Sequence, residues 1–140
     1  MRDAEVNALF VYGTLRPGER RHEMLRNVRR ILPARAQGVL LDCGEYPAMR
    51  VLAAGETGLV AGEWIEVDSL AEQLPALDEE EGYYGPGQPG SLFRRELIEV
   101  QLENGEVRAA WIYLGEAALA GSLRVIAGGD WKAHRAQTPG

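Results

Sequence analysis

The hydrophobic positions of this chain fall mostly into short extended runs bounded by glycine and proline, with few stretches at helical spacing. Leu9–Tyr12 is an apolar, aromatic run followed by Gly13 and Pro17, which predicts a buried strand running into a tight loop. Met24, Leu25, Val28 and Leu32 recur at helical intervals, so a helix is expected over Glu19–Val28, stopped by Pro33. Ala36–Leu41 reads as a strand turning at Asp42-Cys43-Gly44. Tyr46-Pro47-Ala48-Met49 starts another extended piece, because a residue before proline is pushed out of the helical region. Leu59–Val67 is a further strand, in which Gly62 marks a bulge or a close backbone crossing.

Ser69-Leu70-Ala71-Glu72 carries the capping-box pattern at the head of a helix. Pro75 interrupts that helix or starts a second one, and Gly82 suits the left-handed residue beyond its end. The run Gly85–Gly90 is a loop without helical or strand propensity, either a lid or a passive connector. Leu92–Leu102 and Val107–Leu114 are strands joined at Asn104-Gly105, a strong hairpin signal. A two-residue turn there pairs Leu102 with Val107, Val100 with Ala109 and Ile98 with Trp111, with Tyr113 on the same face and opposite Glu96. The tail from Gly115 is helix or loop and closes on Gly128-Gly129-Asp130-Trp131. About six strands and two or three helices, mixing antiparallel hairpins with a crossover helix, give an α+β fold with a curled sheet or small barrel. Residues 1–140 read as one domain without repeats or linkers.

Composition narrows the classes. A chain of 140 residues buries a core without disulfide or metal support. Its single cysteine, Cys43, fits a reducing compartment and a small buried thiol at a strand end better than a nucleophile. No apolar run approaches the ~18 residues of a membrane span, and the charged N-terminus is unlike a secretory signal, so a cytoplasmic location is expected. The net charge of −6 argues against a nucleic-acid partner. Arg16, Arg20, Arg21, Arg26, Arg29, Arg30 and Arg35 nevertheless cluster, as an anion-binding site or a solvated helix face. Two histidines, His22 and His134, and no cysteine pair leave no metal site, and no cofactor is expected.

Two features carry candidate chemistry. Gly13 lets a ligand approach the backbone, and the amides of Gly13, Thr14 and Leu15 can converge on one oxygen; an ordinary turn is the alternative. The spacing Gly13-x4-Gly18 resembles a phosphate loop, but Glu19-Arg20 stands where lysine and Ser/Thr are needed, which excludes nucleotide binding. In the acidic run Asp78–Glu81, helical phase puts Glu81 on the apolar stripe of Leu70, Leu74 and Leu77, with Asp78 beside it. A carboxylate on an apolar face resists ionisation, as a general acid or base near neutrality requires; otherwise Glu81 bends to solvent from a frayed last turn. Tyr12, Tyr46 and Tyr113 supply polar ends to an apolar pocket. No nucleophile pairs with a histidine, so an acyl-enzyme has no support, and proton transfer on a small polar molecule remains.

Phe10-Val11-Tyr12-Gly13-Thr14-Leu15-Arg16, Gly44-Glu45-Tyr46-Pro47-Ala48, Gly62-Glu63, Leu77-Asp78-Glu79-Glu80-Glu81-Gly82-Tyr83 and Gly128-Gly129-Asp130-Trp131 occur in that order. From about Leu9 to Trp131 this set resembles the gamma-glutamylcyclotransferase-like, or AIG2-like, family, which includes gamma-glutamylamine cyclotransferases. The resemblance implies a small mixed, mostly antiparallel β-barrel flanked by helices, with a cavity beside the first strand's loop. It implies a small-molecule γ-glutamyl substrate whose glutamyl portion meets Tyr12-Gly13-Thr14-Leu15, and Glu81 as the acid/base that helps release 5-oxoproline. Where many relatives show Tyr-x-Arg, this chain has Phe93-Arg94-Arg95 and lacks that phenol. A non-catalytic metabolite-binding or docking module on the same scaffold is the alternative. A larger leaving group reached by Arg94 or Arg95 is also open, and a monomer or small homo-oligomer is expected.

Overall fold

The computed structural model describes residues 6–85, 93–115 and 123–137. Its strands are β1 (Ala8–Val11), β2 (Val28–Gln37), β3 (Val39–Asp42), β4 (Pro47–Arg50), β5 (Leu59–Val67), β6 (Phe93–Leu102), β7 (Val107–Gly115) and β8 (Arg124–Val125). Among the described residues two helices accompany them, α1 (Leu70–Glu80) and α2 (Trp131–Gln137), with one 3-10 turn at His22–Met24. Strands β1, β5, β2, β6 and β7 form a closed barrel, and β4, β3 and β8 form a small second sheet. The barrel is mixed: β1 is antiparallel to β5 and parallel to β7, while the other neighbours are antiparallel.

Alternation along the strands sorts the core into two. Phe10, Ala34, Ala36, Val60, Trp64, Val100, Leu102, Ala110, Ile112 and Leu114 form one buried cluster, which runs on to Leu40, Met49 and Trp131. The alternate positions Leu9, Val11, Ile65, Val67, Phe93 and Tyr113 pack with Leu70 and Leu77 of α1 in a second cluster. Strand β1 is therefore buried on both faces, which accounts for its unbroken apolar run. Gly62 is the close crossing expected of it: a Cβ there would stand 2.1 Å from the carbonyl oxygen of Val11.

Four expectations need correction. Residues 19–28 form no helix; only the 3-10 turn at His22–Met24 is present, and the chain enters β2 through Asn27 in a left-handed conformation (φ 56°). The helical spacing of Met24, Leu25, Val28 and Leu32 was coincidental, since Leu25 is buried whereas Val28 and Ile31 are exposed. Pro33 lies inside β2, where β6 pairs only with Ala34 and Arg35, so that edge is open at the proline, a placement strands tolerate. Ser69 is also left-handed (φ 53°) and makes no side-chain cap; Asn7 Oδ1 accepts from the Leu70 amide instead, at 3.2 Å. Pro75 neither ends α1 nor restarts it, and Gly82 follows the helix at φ 69° as expected.

The fourth correction is the register of the β6–β7 hairpin. Gly105 N–H donates to Leu102 O and Leu102 N–H donates to Glu106 O, which makes a three-residue loop with Gly105 left-handed (φ 89°). Gln101 thus pairs with Val107, Ile98 with Ala110, Glu96 with Ile112 and Arg95 with Tyr113. One extra loop residue moves every partner by one position. Trp111 and Tyr113 consequently leave the face of Val100, Ala110 and Ile112 and join Phe93 beneath α1.

Candidate functional site

Strand β1 ends in a loop that folds back on itself. Its turn bonds are donated by the amides of Arg16, Glu19, Arg21, His22, Met24 and Leu25, and among the described residues those of Gly13, Thr14 and Leu15 donate none. Buried Thr14 and Leu15 lie with Gly13 along one wall of a cavity of about 140 Å³. Tyr46 and Pro47 at the start of β4, Glu80 and Glu81 at the end of α1, Phe93 of β6 and Tyr113 of β7 supply the other walls. All seven residues singled out from the sequence, Tyr12, Gly13, Thr14, Leu15, Tyr46, Glu81 and Tyr113, line this one space. Gly13 is required there for room: a Cβ would stand 2.8 Å from both Cγ and Cδ of Pro47.

Glu81 follows the last turn of α1, whose buried positions are Leu70, Gln73 and Leu77, so helical phase carries it toward the barrel. Burial drives its carboxyl up to about 7; the positive charge of Arg21 opposes that rise and the negative charge of Glu80 adds to it. Arg21 and Glu80 form an ion pair at 3.1 Å on the rim. Neither was singled out for the site, since an arginine in a cluster and a glutamate in an acidic run look like solvated surface.

The three tyrosines differ in what their hydroxyls do. Tyr12 Oη donates to the Tyr113 carbonyl at 2.5 Å and accepts from the Met49 amide at 3.2 Å, so its polar end is taken up by the barrel and β4. Burial raises its pKa far above the ordinary phenol value, and the charge of Glu81 adds to that. Tyr113 Oη donates to Asp78 Oδ1 at 2.6 Å. Tyr46 packs its ring on Phe93, with centroids 6.1 Å apart and planes tilted by 53°. Phe93 thus contributes an apolar wall.

The arginine cluster is not a helix face, and four of its members pair with carboxylates, Arg21 among them. Arg29 and Arg30 pair from β2 with Asp68 and Glu66, at 2.8 and 3.0 Å. Arg16 is buried and donates to Glu63 and to Asp130. Helix α2 reinforces that attachment: Lys132 Nζ donates to Pro17 O, and Arg135 pairs with Glu19 at 2.6 Å. His134 Nε2 meets Asp42 Oδ2 at 2.8 Å, which ties α2 to the turn that carries Tyr46. Among the described residues no group of three or more His, Cys, Asp or Glu is placed to hold a metal ion, and no helix is long and apolar enough to cross a membrane. The glycine-rich run expected as a lid or connector lies, from residue 86 on, outside the described residues.

Comparison with known proteins gives a consistent result. Residues 9–133 match the family model described as "Gamma-glutamyl cyclotransferase, AIG2-like". Over 133 residues the chain is 40% identical to "Gamma-L-glutamyl-butirosin B gamma-glutamyl cyclotransferase" of Niallia circulans, covering 92% of this chain and 78% of that protein. It is 31% identical over 129 residues to the "Putative gamma-glutamylcyclotransferase YkqA" of Bacillus subtilis (strain 168), covering 91% of this chain but 42% of that protein. The crystal structure of YkqA superimposes with a TM-score of 0.68 at 29% identity, over 92% of this chain and 40% of that one. An AIG2-like protein from mouse shares the fold at a TM-score of 0.62 and 24% identity, over 85% of this chain and 84% of that one.

Proposed function

This chain belongs to the gamma-glutamyl cyclotransferase, AIG2-like family, and from that premise we propose that it converts a γ-glutamyl amine or amide into 5-oxoproline and a free amine by intramolecular aminolysis. The α-amino nitrogen of the substrate attacks its own γ-carbonyl carbon, and the bond from that carbon to the leaving nitrogen breaks. Glu81 takes the proton that the attacking amine gives up and passes it to the leaving nitrogen, so no water is consumed. Tethering amine and carbonyl in one molecule supplies much of the acceleration, since well-oriented intramolecular reactions gain ~7–11 kcal/mol.

One observation carries this reading. A desolvated carboxyl, raised to about 7, shares a small cavity with a run of residues whose backbone amides donate no turn bond among the described residues. Amides so placed fit a substrate carboxylate or the negative charge growing on the γ-carbonyl oxygen. A base with a pKa near neutrality fits the proton relay. The 40% identical relative is named for γ-L-glutamyl-butirosin B, so γ-glutamyl compounds whose leaving amine belongs to a larger molecule are part of the substrate class proposed here.

The test is incubation with γ-L-glutamyl amines of graded size, with 5-oxoproline measured by chromatography. Release by the wild-type chain and its loss in Glu81→Gln is the expected result. Equal release by both proteins would overturn the assignment of Glu81. Failure of every substrate, with binding still seen by thermal shift, would overturn the enzymatic reading in favour of a binding module.

A further inference from the structure

The contact between Tyr113 and Asp78 has a direction. Asp78 already receives two hydrogen bonds from Arg95, Nε to Oδ1 at 2.9 Å and Nη2 to Oδ2 at 3.3 Å. A carboxylate in such an ion pair has only acceptors to offer, so the proton in the 2.6 Å contact is the phenol's own. A phenol has one proton. Once it is committed to Asp78, the oxygen of Tyr113 has only lone pairs left for other partners. That side chain also lines the cavity, within reach of the charge on Glu81.

The cavity is therefore chemically sorted. Along one wall lie Gly13, Thr14 and Leu15, whose amides donate no turn bond among the described residues, and at the other lie the acceptors of Glu81 and Tyr113. Tyr12 does not blur the division, because its hydroxyl is spent on Tyr113 O and the Met49 amide. Of the groups on a γ-glutamyl substrate, oxygens match the first end and the α-amine matches the second.

Resting on the cyclotransferase reading above, we propose that Tyr113 accepts an N–H of the substrate's α-amine and that Asp78 is a positioning residue which fixes the phenol in that role. Arg95 completes the arrangement from the far side. Its guanidinium lies over the Trp111 ring at 4.8 Å and the Tyr83 ring at 5.7 Å, which holds it against Asp78. The Arg95–Asp78–Tyr113 chain runs from the outer groove to the cavity wall and presets which way the amine points before the ring closes.

The test uses two probes, γ-L-glutamyl-ethylamide and glutaric acid monoethylamide, which is the same molecule without the α-amine. Binding is measured by calorimetry in the Glu81→Gln background, so that no turnover intervenes. The parent protein should prefer the amine-bearing probe, and Tyr113→Phe should shrink that preference about tenfold or more. Asp78→Asn should shrink it in the same direction, because an amide has one accepting oxygen where the carboxylate has two, so it cannot keep both bonds from Arg95 and the proton of Tyr113. Combined with Tyr113→Phe it should add little further loss of preference, since the two act through one contact. Equal weakening of both probes in Tyr113→Phe would show a packing role and overturn the proposal, as would an unchanged preference. Loss of preference without any 5-oxoproline release by the wild-type chain would leave this contact standing and overturn the catalytic reading alone.

Discussion

Arg16 donates from Nε and Nη2 to the two carboxylate oxygens of Glu63 at 2.8 and 2.9 Å, across 47 residues of chain. Its remaining nitrogen reaches Asp130 Oδ1 at 3.0 Å. One side chain therefore fastens the loop that walls the cavity to β5 and to the head of α2. Asp130 is placed for this because its Oδ1 also accepts from the Ala133 amide, capping α2. Both carboxyls lie beside a guanidinium that is itself held more basic than usual by them, against the opposing effect of its burial.

Truncating that clamp leaves two carboxylates without their cation. Arg16→Met should destabilise the protein by about 2–4 kcal/mol, near the 3–5 kcal/mol typical when one partner of a buried pair is removed. Adding Glu63→Met should recover part of the loss, so that the double variant is more stable than the sum of the single effects. Urea unfolding of the four proteins gives the comparison. Strictly additive losses would mean that the pair is not coupled.

Replacing the acid/base tests two properties at once. Glu81→Gln should lower 5-oxoproline release by about 10²-fold or more while far-ultraviolet dichroism stays unchanged. It should also change stability with pH in a defined sense. The folded carboxyl titrates near 7 and its ordinary value is 4.5. Below 4.5 it is protonated in both states and costs nothing. Between the two values the folded protein holds the proton more tightly, so stability falls as pH rises, and above 7 the full cost is present. At about 1.4 kcal/mol per unit the cost is at most ~3.5 kcal/mol. Melting curves of variant and wild type should coincide near pH 4 and separate by pH 8, with the glutamine variant the more stable.

The same titration sets the acid side of the activity profile. The rate, read as kcat/KM, should rise with an apparent pKa near 7 as Glu81 becomes the base. Arg21→Gln should move that limb to higher pH, because the variant removes the positive charge that lowers the carboxyl and leaves Glu80 without its partner at 3.1 Å. A limb that stays in place would detach the profile from Glu81.

Two glycines separate the site from the scaffold. In Gly62→Ala the new carbon meets Val11 O at 2.1 Å, a backbone atom that cannot turn aside. A cost of about 3 kcal/mol or more is expected, at the upper end of the range for overpacking. In Gly13→Ala the new carbon meets the ring of Pro47 at 2.8 Å, on the cavity wall. That variant should lose about 1–3 kcal/mol and disproportionately more activity, because the walls bearing Tyr46 and the loop amides are forced apart. Thermal melts beside turnover rates distinguish the two outcomes.

Much of the arrangement was present in one dimension. Strand β5 ran as Leu59–Val67, and the crossing at Gly62 was written in a glycine set among apolar residues. Glu81 followed Leu77 by one helical turn, which sufficed to bring it inward. These features are local: pleat and helix pitch fix them wherever the chain goes. The hairpin of β6 and β7 shows where that stops. Asn104-Gly105 serves a two-residue or a three-residue loop equally, and the face of Tyr113 depends on which one the packing selects.

Contacts between distant residues lay beyond any local pattern. The amide of Leu70 is capped by Asn7 rather than by the neighbouring Ser69, and Arg29 and Arg30 of β2 are matched by carboxylates on or beside β5. Asp78, one of four acidic residues in a row, became the partner of Tyr113 only once β7 was laid under α1. The sequence by itself determined where β1 and β5 run, the span of α1 and the inward turn of Glu81, because those follow from backbone geometry and solvent. Tertiary structure alone decided which charges meet and which hydroxyls are spent, because barrel closure brings together groups the chain keeps far apart.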